Sequence, residues 1–296
     1  MLKEKIFRTF GFIHHHSLAQ KALFSAYLRF FVWQFQTLIY KGLIEKIFIG
    51  NVKFYAKKGL TGITGNIYTG LHEFEDMGFL LHFLRPEDTF FDIGANVGSY
   101  SLLASGYIGA KSLSFEPSPS TFDLLLKNIK INNLENKIEP HQIALAKEVG
   151  RLNFTTTHDT GNHIVSPENF NEQTIEVETK PVDNFIAHDP ILLKIDVEGF
   201  ETDVIAGAGK LLSGEQLKAI IIELNGCGGR YGYDEKDIHT HLLSLGYLPY
   251  LYNPFNREFT LMNNFGSHNT IYIKDLTAVK ERCKSAEKIN VLGILF

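Results

Sequence analysis

The feature that most constrains the fold is an alternation of short apolar runs with helical segments. Segments that resemble strands, most of them apolar, occur at residues 89–93, 111–115, 137–143, 191–195 and 219–224. Segments with helical periodicity lie between most of them, whereas residues 150–182 are less regular and contain β-like pieces. Strands that are apolar throughout are typical of a parallel sheet with both faces covered, and the helices supply the crossovers. The alternation therefore predicts an α/β fold with helices on both faces of a mostly parallel sheet.

The N-terminal part follows a different pattern. Residues 1–46 contain no proline and place apolar residues at helical spacing, which predicts helices. A Gly-Asn dipeptide at 50–51 lies between two β-like runs and predicts a β-hairpin. Four glycines within 59–70 predict a loop-rich stretch. We therefore expect a helical and hairpin extension over residues 1–70, followed by one α/β domain over residues 71–296.

Composition limits the classes of function. The chain has 296 residues, of which 44% are hydrophobic, so it can bury one sizeable core. Its formal net charge of -4 disfavours a nucleic-acid substrate, because such proteins usually present a basic face. Cys227 and Cys283 show no metal-ligand spacing, and we expect two free thiols in the reducing cytoplasm.

One segment raises the question of a membrane. Residues 23–39 are rich in apolar and aromatic side chains. They are shorter than the roughly 20 residues that span a bilayer, and they lack the cleavage site of a signal peptide. Two interpretations remain, namely an amphipathic helix packed on the domain and a helix that rests on a membrane surface.

Candidate cofactor-binding residues follow the first apolar run. Ligands of open α/β sheets bind at the carboxyl ends of strands. Asp92 stands at such an end, and Gly94 and Gly98 allow the backbone to turn and to approach a ligand. The following helix directs its amide-rich N-terminus to the same place. The dinucleotide fingerprint requires a glycine where this chain has Asn96, so the spacing disfavours a nicotinamide cofactor.

A second acid, Glu116, ends the next apolar run and precedes a proline. It lies about 20 residues beyond the glycine loop, the distance at which an acid reaches ribose hydroxyls in such folds. A carboxylate can accept two charge-assisted hydrogen bonds from a vicinal diol. Glu116 is therefore a candidate ribose-binding residue.

Further acids end the fourth and fifth runs. Asp196 and Glu198 face one crevice if the strand continues that far. Their candidate roles are contact with a positively charged cofactor, positioning of the substrate and acceptance of a proton, but one of them could instead cap the helix that begins near Glu201. Glu223 ends the fifth run. We predict no metal, because Asp196 and Glu198 alone offer too few ligands.

Two histidines are weaker candidates for a proton acceptor. His163 lies in the irregular stretch between two β-like pieces, a stretch that could reach over the pocket. His268 precedes the last strand. For His163 the competing interpretation is an exposed loop histidine without a catalytic role.

Three motifs in this order resemble the FkbM-type family of S-adenosylmethionine-dependent methyltransferases. They lie at residues 91–98, 115–117 and 193–199. The resemblance covers roughly residues 70–275. It implies a class I methyltransferase (Rossmann-like) fold with a seven-stranded sheet and S-adenosylmethionine as the cofactor. It also implies cofactor contacts and ribose binding by a set of matching residues, which are Asp92, Gly94, Asn96, Gly98 and Glu116.

The resemblance also bears on the reaction. The family commonly carries a histidine after the Asp-x-Glu-Gly stretch, and this chain has Phe200 there. If that histidine takes part in proton transfer, another group must do so in this chain, and the candidates are Asp196, Glu198, Glu223 and His163. The implied acceptor is a hydroxyl of a sugar, a glycan or a natural product. Two alternatives are a nicotinamide-dependent oxidoreductase, which the glycine spacing disfavours, and a non-catalytic binding module, which the intact acids disfavour.

Overall fold

The computed structural model describes residues 2–156, 162–165 and 173–296. The α-helices of these residues are α1 (Leu2–His15), α2 (Leu23–Ile39), α3 (Thr61–Thr69), α4 (Phe74–Phe83), α5 (Ser99–Ser101, continued by a π-helix over Leu102–Ile108), α6 (Pro119–Ile131), α7 (Glu201–Ala206), α8 (Gly209–Ser213), α9 (Glu235–Ser244) and α10 (Leu276–Ser285). The strands are β1 (Ile44–Ile47), β2 (Lys53–Ala56), β3 (Thr89–Ile93), β4 (Lys111–Phe115), β5 (Ile138–His141), β6 (Ala144–Leu145), β7 (Gly150–Thr155), β8 (Ile164–Val165), β9 (Thr174–Lys180), β10 (Leu192–Ile195), β11 (Ala219–Glu223), β12 (Leu248–Asn253), β13 (Glu258–Leu261), β14 (Asn269–Ile273), β15 (Asn290–Val291) and β16 (Ile294–Leu295).

Eight strands form the central sheet in the order β13-β12-β14-β11-β10-β3-β4-β5. Five neighbouring strands pair in parallel, namely β11, β10, β3, β4 and β5. The other three, β14, β12 and β13, pair antiparallel. The predicted α/β fold with a mostly parallel sheet is confirmed. The sheet has one strand more than the seven expected, because the chain turns back after Asn253 and adds β13 as an edge strand.

Both faces of the sheet are covered, as the apolar strands require. Phe90 and Leu192 point to one face and belong to a core cluster shared with α4 and the π-helix. Their neighbours Phe91 and Leu193 point to the opposite face, where α7, α8 and α9 pack. Because side chains alternate along a strand, each of these apolar runs fills both cores at once.

The N-terminal extension packs on the first of these faces. Ile13 and Trp33 belong to the same continuous apolar cluster as Phe90. The predicted hairpin is present as β1 and β2. Asn128 of α6 holds it, because its Oδ1 accepts the amide of Tyr55 at 2.7 Å while its Nδ2 donates to the carbonyl of Val97 at 2.8 Å.

Two local predictions need correction. The loop-rich stretch expected over 59–70 contains α3. Gly65 serves close packing there rather than a turn, since a Cβ at this position would lie 2.0 Å from Nδ1 of His72. The single helix expected to begin near Glu201 is divided into α7 and α8 at Gly207, whose Cβ would lie 2.2 Å from the carbonyl oxygen of Ala146.

We expect Asn128→Ala to lower the free energy of unfolding by about 2–6 kcal/mol, because it leaves the buried carbonyl of Val97 and the half-buried amide of Tyr55 unpaired at about 1–3 kcal/mol each. Asn132→Ala is the matched control. Asn132 makes the same kind of contact one turn later, to the amide and carbonyl of Lys53, but it is only half-buried, so water can replace its bonds. Urea unfolding that gives equal losses for the two variants would contradict the assignment.

Candidate active site

A cavity of about 330 Å³ opens at the carboxyl ends of β3, β4, β10 and β11, where the strand order reverses direction. Its size is within the range of small-molecule sites. The lining includes seven residues singled out from the sequence, namely Asp92, Gly94, Asn96, Glu116, Asp196, Glu198 and Glu223. Gly98, His163 and His268 do not belong to the lining.

Gly94 is required by the chain itself. Its φ is +81°, and a Cβ at this position would lie 1.8 Å from the carbonyl oxygen of Asp196 on the neighbouring strand end. Gly98 has a φ of +92°, and its Cβ would meet Leu125 at 2.6 Å. Both glycines therefore shape the loop, and of the two only Gly94 borders the cavity.

The backbone amides of residues 94–98 all donate within the protein. Those of Gly94 and Ala95 donate to the carbonyl of Phe115, and that of Gly98 donates to the carbonyl of Ala95. The amide of Asn96 donates to Glu116, and that of Val97 donates to the Asn96 side chain. A dinucleotide pyrophosphate needs such amides for itself, so this loop does not suit a phosphate ligand.

Asp92 joins its strand to the following helix. Its Oδ2 accepts the hydroxyl and the amide of Ser101 at 2.6 and 3.0 Å. Burial raises the pKa of Asp92 to about 6, although the bonds from Ser101 oppose this shift. Asp92 therefore stabilises the start of α5. Because it also lines the cavity, it presents a carboxyl group to a ligand.

Glu116 is buried at the end of β4. Its two oxygens accept the amides of Asn96 at 3.0 Å and Ser118 at 2.9 Å. Burial raises the pKa of Glu116 to about 7 against these two bonds. Each carboxylate oxygen has a second lone pair, so the side chain can still accept hydrogen bonds from a diol in the cavity.

Lys194 is the buried counterion of the acids. It is only 2% exposed, and its ammonium donates to Oδ2 of Asp196 at 3.1 Å and to Oδ1 of Asn269 at 2.9 Å. Burial alone would lower the pKa of Lys194, but attraction to the surrounding carboxylates, Asp196 foremost, raises it above its ordinary value. This ion pair fixes the Asp196 side chain at the cavity wall.

Three carboxyl groups converge beside this pair. Oxygens of Asp196, Glu198 and Glu223 lie within 4.8 Å of one another. Burial and the charge of Asp196 raise the pKa of Glu198 to about 7, and the same two causes raise that of Glu223 well above its usual range. For a metal, the sequence offered only Asp196 and Glu198, and the structure places Glu223 beside them, so that the three could together hold a hard divalent cation.

Neither Asp196 nor Glu198 has the capping role considered for it, because the N-cap of α7 is Phe200, which makes no side-chain capping hydrogen bond. Glu201 is buried, and its Oε1 accepts the amides of Val197 and Gly199 at 3.0 and 3.2 Å. Glu198 and Gly199 both adopt positive φ, which folds the chain back toward this carboxyl group. An acid in the first turn of a helix can reach back in this way, and the sequence placed it there.

An aromatic wall borders the acids. The ring of Phe200 packs edge-on against Tyr231 at 5.3 Å, and the hydroxyl of Tyr231 donates to the carbonyl of Ile164. A shallower hollow of about 500 Å³ shares Phe200 and Ile164 with the main cavity and also contacts Tyr233. The two hollows thus meet at Phe200, on the side of the acids.

The histidine candidates lie away from the cavity lining. The backbone of His163 pairs with Thr155, and the carbonyl of His268 accepts the amide of Leu224. The neighbours Asn162 and Ile164 do reach the cavity. Residues 160–161 of the same loop lie outside the described residues.

Several lining groups were missed from the sequence. The hydroxyl of Tyr100 donates to Glu73 at 2.6 Å, and both residues line the cavity. Behind the lining, Asn269 links Lys194 to Asp76. These residues come from distant parts of the chain, and only the lysine inside an apolar strand was a visible signal.

The chain is similar to known methyltransferases. Residues 92–249, more than half of the chain, match the family model of the methyltransferase FkbM domain. Hexuronic acid methyltransferase AglP of Haloferax volcanii is 28% identical over 185 residues, which cover 60% of this chain and 71% of that protein. Methyltransferase 1 of Beauveria bassiana is 29% identical over 148 residues, which cover 41% of this chain and 59% of that protein.

A similar solved structure is that of the methyltransferase FkbM from Methylobacillus flagellatus. It has a TM-score of 0.44 and 17% identity, and the match covers 72% of this chain and 52% of that one. This chain therefore matches less than two thirds of the length of that structure and of the Beauveria bassiana protein.

We expect Gly94→Ala to destabilise the fold far more than Gly226→Ala. Both glycines have a positive φ, +81° and +88°, but a Cβ at Gly226 meets nothing within 4 Å. Gly226→Ala should therefore cost only the conformational strain of about 1–2 kcal/mol. Gly94→Ala should add the clash with Asp196. Thermal unfolding that shows similar losses in the two variants would contradict this contact.

Proposed function

Because this chain belongs to the FkbM methyltransferase family, we propose that it transfers the methyl group of S-adenosylmethionine to a hydroxyl of a sugar, a glycan or a natural product. The observation that carries the proposal is the convergence of buried acids on one cavity. Asp92, Glu116 and Asp196 stand at the ends of three adjacent parallel strands and all line it. The family and the cavity together favour this function over an oxidoreductase.

The charge of the cavity suits this cofactor. Its lining contains six carboxyl side chains and one ammonium group, that of Lys194. S-adenosylmethionine carries a sulfonium and an ammonium and contains no phosphate. The raised carboxyl pKa values mark a site that binds a cation favourably, because a cation stabilises the ionised form of each acid. Glu116 would accept the ribose hydroxyls, and Asp92, Asn96 and Asp196 would line the remainder.

S-adenosylmethionine supplies an electrophilic methyl carbon on a positively charged sulfur. The protein has to align the acceptor hydroxyl with that carbon and to remove its proton. Of the three acids, Glu198 is the most suitable base, because its pKa of about 7 is close to neutral pH. The other candidates are less suited, since Asp196 is paired with Lys194 and Glu223 holds its proton more strongly.

The same charge balance bears on the acceptor. An anionic acceptor would face repulsion from the carboxylates, whereas sugar hydroxyls can donate to them. The aromatic wall of Phe200 and Tyr231 offers an apolar surface to one face of a sugar ring. We therefore propose a neutral hydroxylated acceptor, which differs from the acceptor named for the Haloferax volcanii relative.

We expect Glu116→Ala to weaken S-adenosylmethionine binding roughly tenfold to a hundredfold, the cost of a lost charge-assisted contact of about 1.5–3 kcal/mol. Glu198→Ala should weaken binding less, because we assign Glu198 to proton transfer from the acceptor and not to the cofactor. Titration calorimetry gives the affinities. Thermal unfolding of the ligand-free variants is the control, because Glu116 also holds two backbone amides. Unchanged affinity in Glu116→Ala would overturn the ribose assignment.

Methyl transfer is tested by the formation of S-adenosylhomocysteine with a panel of neutral sugars and matching uronic acids. We expect turnover with a neutral member and little with the anionic ones.

Glu198→Gln should lower turnover roughly 10²–10⁴-fold with little change in cofactor affinity. For the wild type, turnover should rise with pH, because the base acts when ionised. The midpoint should lie at or below pH 7, since a bound sulfonium lowers the pKa of Glu198.

Wild-type turnover in Glu198→Gln would remove this residue from proton transfer. Asp196→Asn and Glu223→Gln would then be the next variants to measure, with the same acceptor and at saturating cofactor.

A further inference from the structure

Helix α2 is apolar on two opposite sides. Its inner stripe, formed by Ala26, Phe30, Trp33 and Thr37, is buried against the protein. Its outer side is exposed, and the larger apolar residues there recur at spacings of four and three, which places them on one stripe of the helix. They are Phe24, Leu28, Phe31, Phe35 and Leu38, with Val32 and Ile39 beside them.

The outer stripe is unusual in extent. Phe24 is 82% exposed, Phe35 is 63% exposed and Leu38 is 64% exposed. Single exposed apolar residues need no explanation, but a contiguous stripe marks an interaction surface. No charged side chain of α2 interrupts it, because Arg29, the helix's one charged residue, donates to the carbonyl of Tyr68 on the adjacent α3. A helix with a second apolar stripe is normally covered on that side as well.

The charge of the N-terminal extension indicates what kind of partner this stripe would bind. Residues 1–60 contain ten lysines and arginines and two acids, a formal charge of +8. The whole chain carries -4, so residues 61–296 carry -12. Lys21 and Lys41 flank α2 and are exposed, as are Lys57 and Lys58 after the hairpin. The extension is thus a basic and apolar surface on an acidic enzyme, whatever the modest charge of the whole chain.

We propose that the outer stripe of α2 docks on an anionic phospholipid surface. An amphipathic helix with basic flanks binds such a surface through apolar burial and attraction to anionic lipids. α2 has 17 residues and would lie in the interface; among the helices of the described residues, none has the length and hydropathy to cross a bilayer. A second copy of the chain fits less well, because it would bring two extensions of charge +8 together.

The proposal is tested by co-sedimentation of the full chain with vesicles. Phosphatidylcholine vesicles are compared with vesicles that also contain phosphatidylglycerol, at low and high salt. We expect binding only with the anionic lipid and a loss of binding at high salt. Phe35→Gln/Leu38→Gln should weaken partitioning at least about a hundredfold, because two side chains lose their burial in the bilayer.

The matched control is Leu126→Gln/Leu243→Gln. It removes two exposed leucines from α6 and α9, and it should bind like the wild type. Both double variants alter exposed positions, so native circular dichroism and unchanged S-adenosylmethionine affinity are expected. Sedimentation does not depend on methyl transfer, so a failure of the proposed reaction would leave this test valid.

Two results would overturn the proposal. One is a wild-type chain that stays in the supernatant with anionic vesicles, or that binds neutral vesicles equally well. The other is a stable dimer in light scattering that Phe35→Gln/Leu38→Gln converts to monomer, which would assign the stripe to a second copy.

Discussion

The site depends on the close approach of two parallel strand ends. The amide of Asp196 donates to the carbonyl of Ile93, which extends the pairing of β3 and β10 by one step. Directly beyond it, the Asp196 carbonyl occupies the space that a side chain at Gly94 would need. This contact sets the distance between Asp92 and Asp196 in the cavity. A larger residue at Gly94 would separate these two acids.

Bringing acids so close creates an electrostatic problem that one residue largely solves. Lys194 lies inside an apolar strand, where a lone ammonium would be unfavourable. The carboxylates around it supply the compensating charge, and Asn269 accepts a further hydrogen bond from it. One cation for six acids still leaves the ligand-free cavity short of positive charge. The raised pKa values of Glu116 and Glu198 follow first from burial and then from the charge of the neighbouring acids.

The sequence was informative where structure follows from local pattern. Apolar runs that end in acids predict a parallel sheet with Asp92, Glu116 and Asp196 at one edge, because parallel strands end on the same side. It was uninformative where packing decides. Gly65 was interpreted as a loop residue, and only its contact with His72 shows that it serves close packing. Neither Asp196 nor Glu198 caps α7, because the turn at Glu198 directs the amides of Val197 and Gly199 to Glu201 instead.

The N-terminal extension connects the outer apolar stripe of α2 to the cavity. The hydroxyl of Tyr68 on α3 accepts a hydrogen bond from Gln34 of α2, and Ile63 and Asn66 of α3 line the cavity. Asn66 also accepts the amide of His72, another lining residue. A single helix therefore separates the outer apolar stripe from the candidate site. If α2 rests on a lipid surface, α3 holds one wall of the cavity at a fixed distance from that surface, so the acceptor must reach the acids from a position set by the extension.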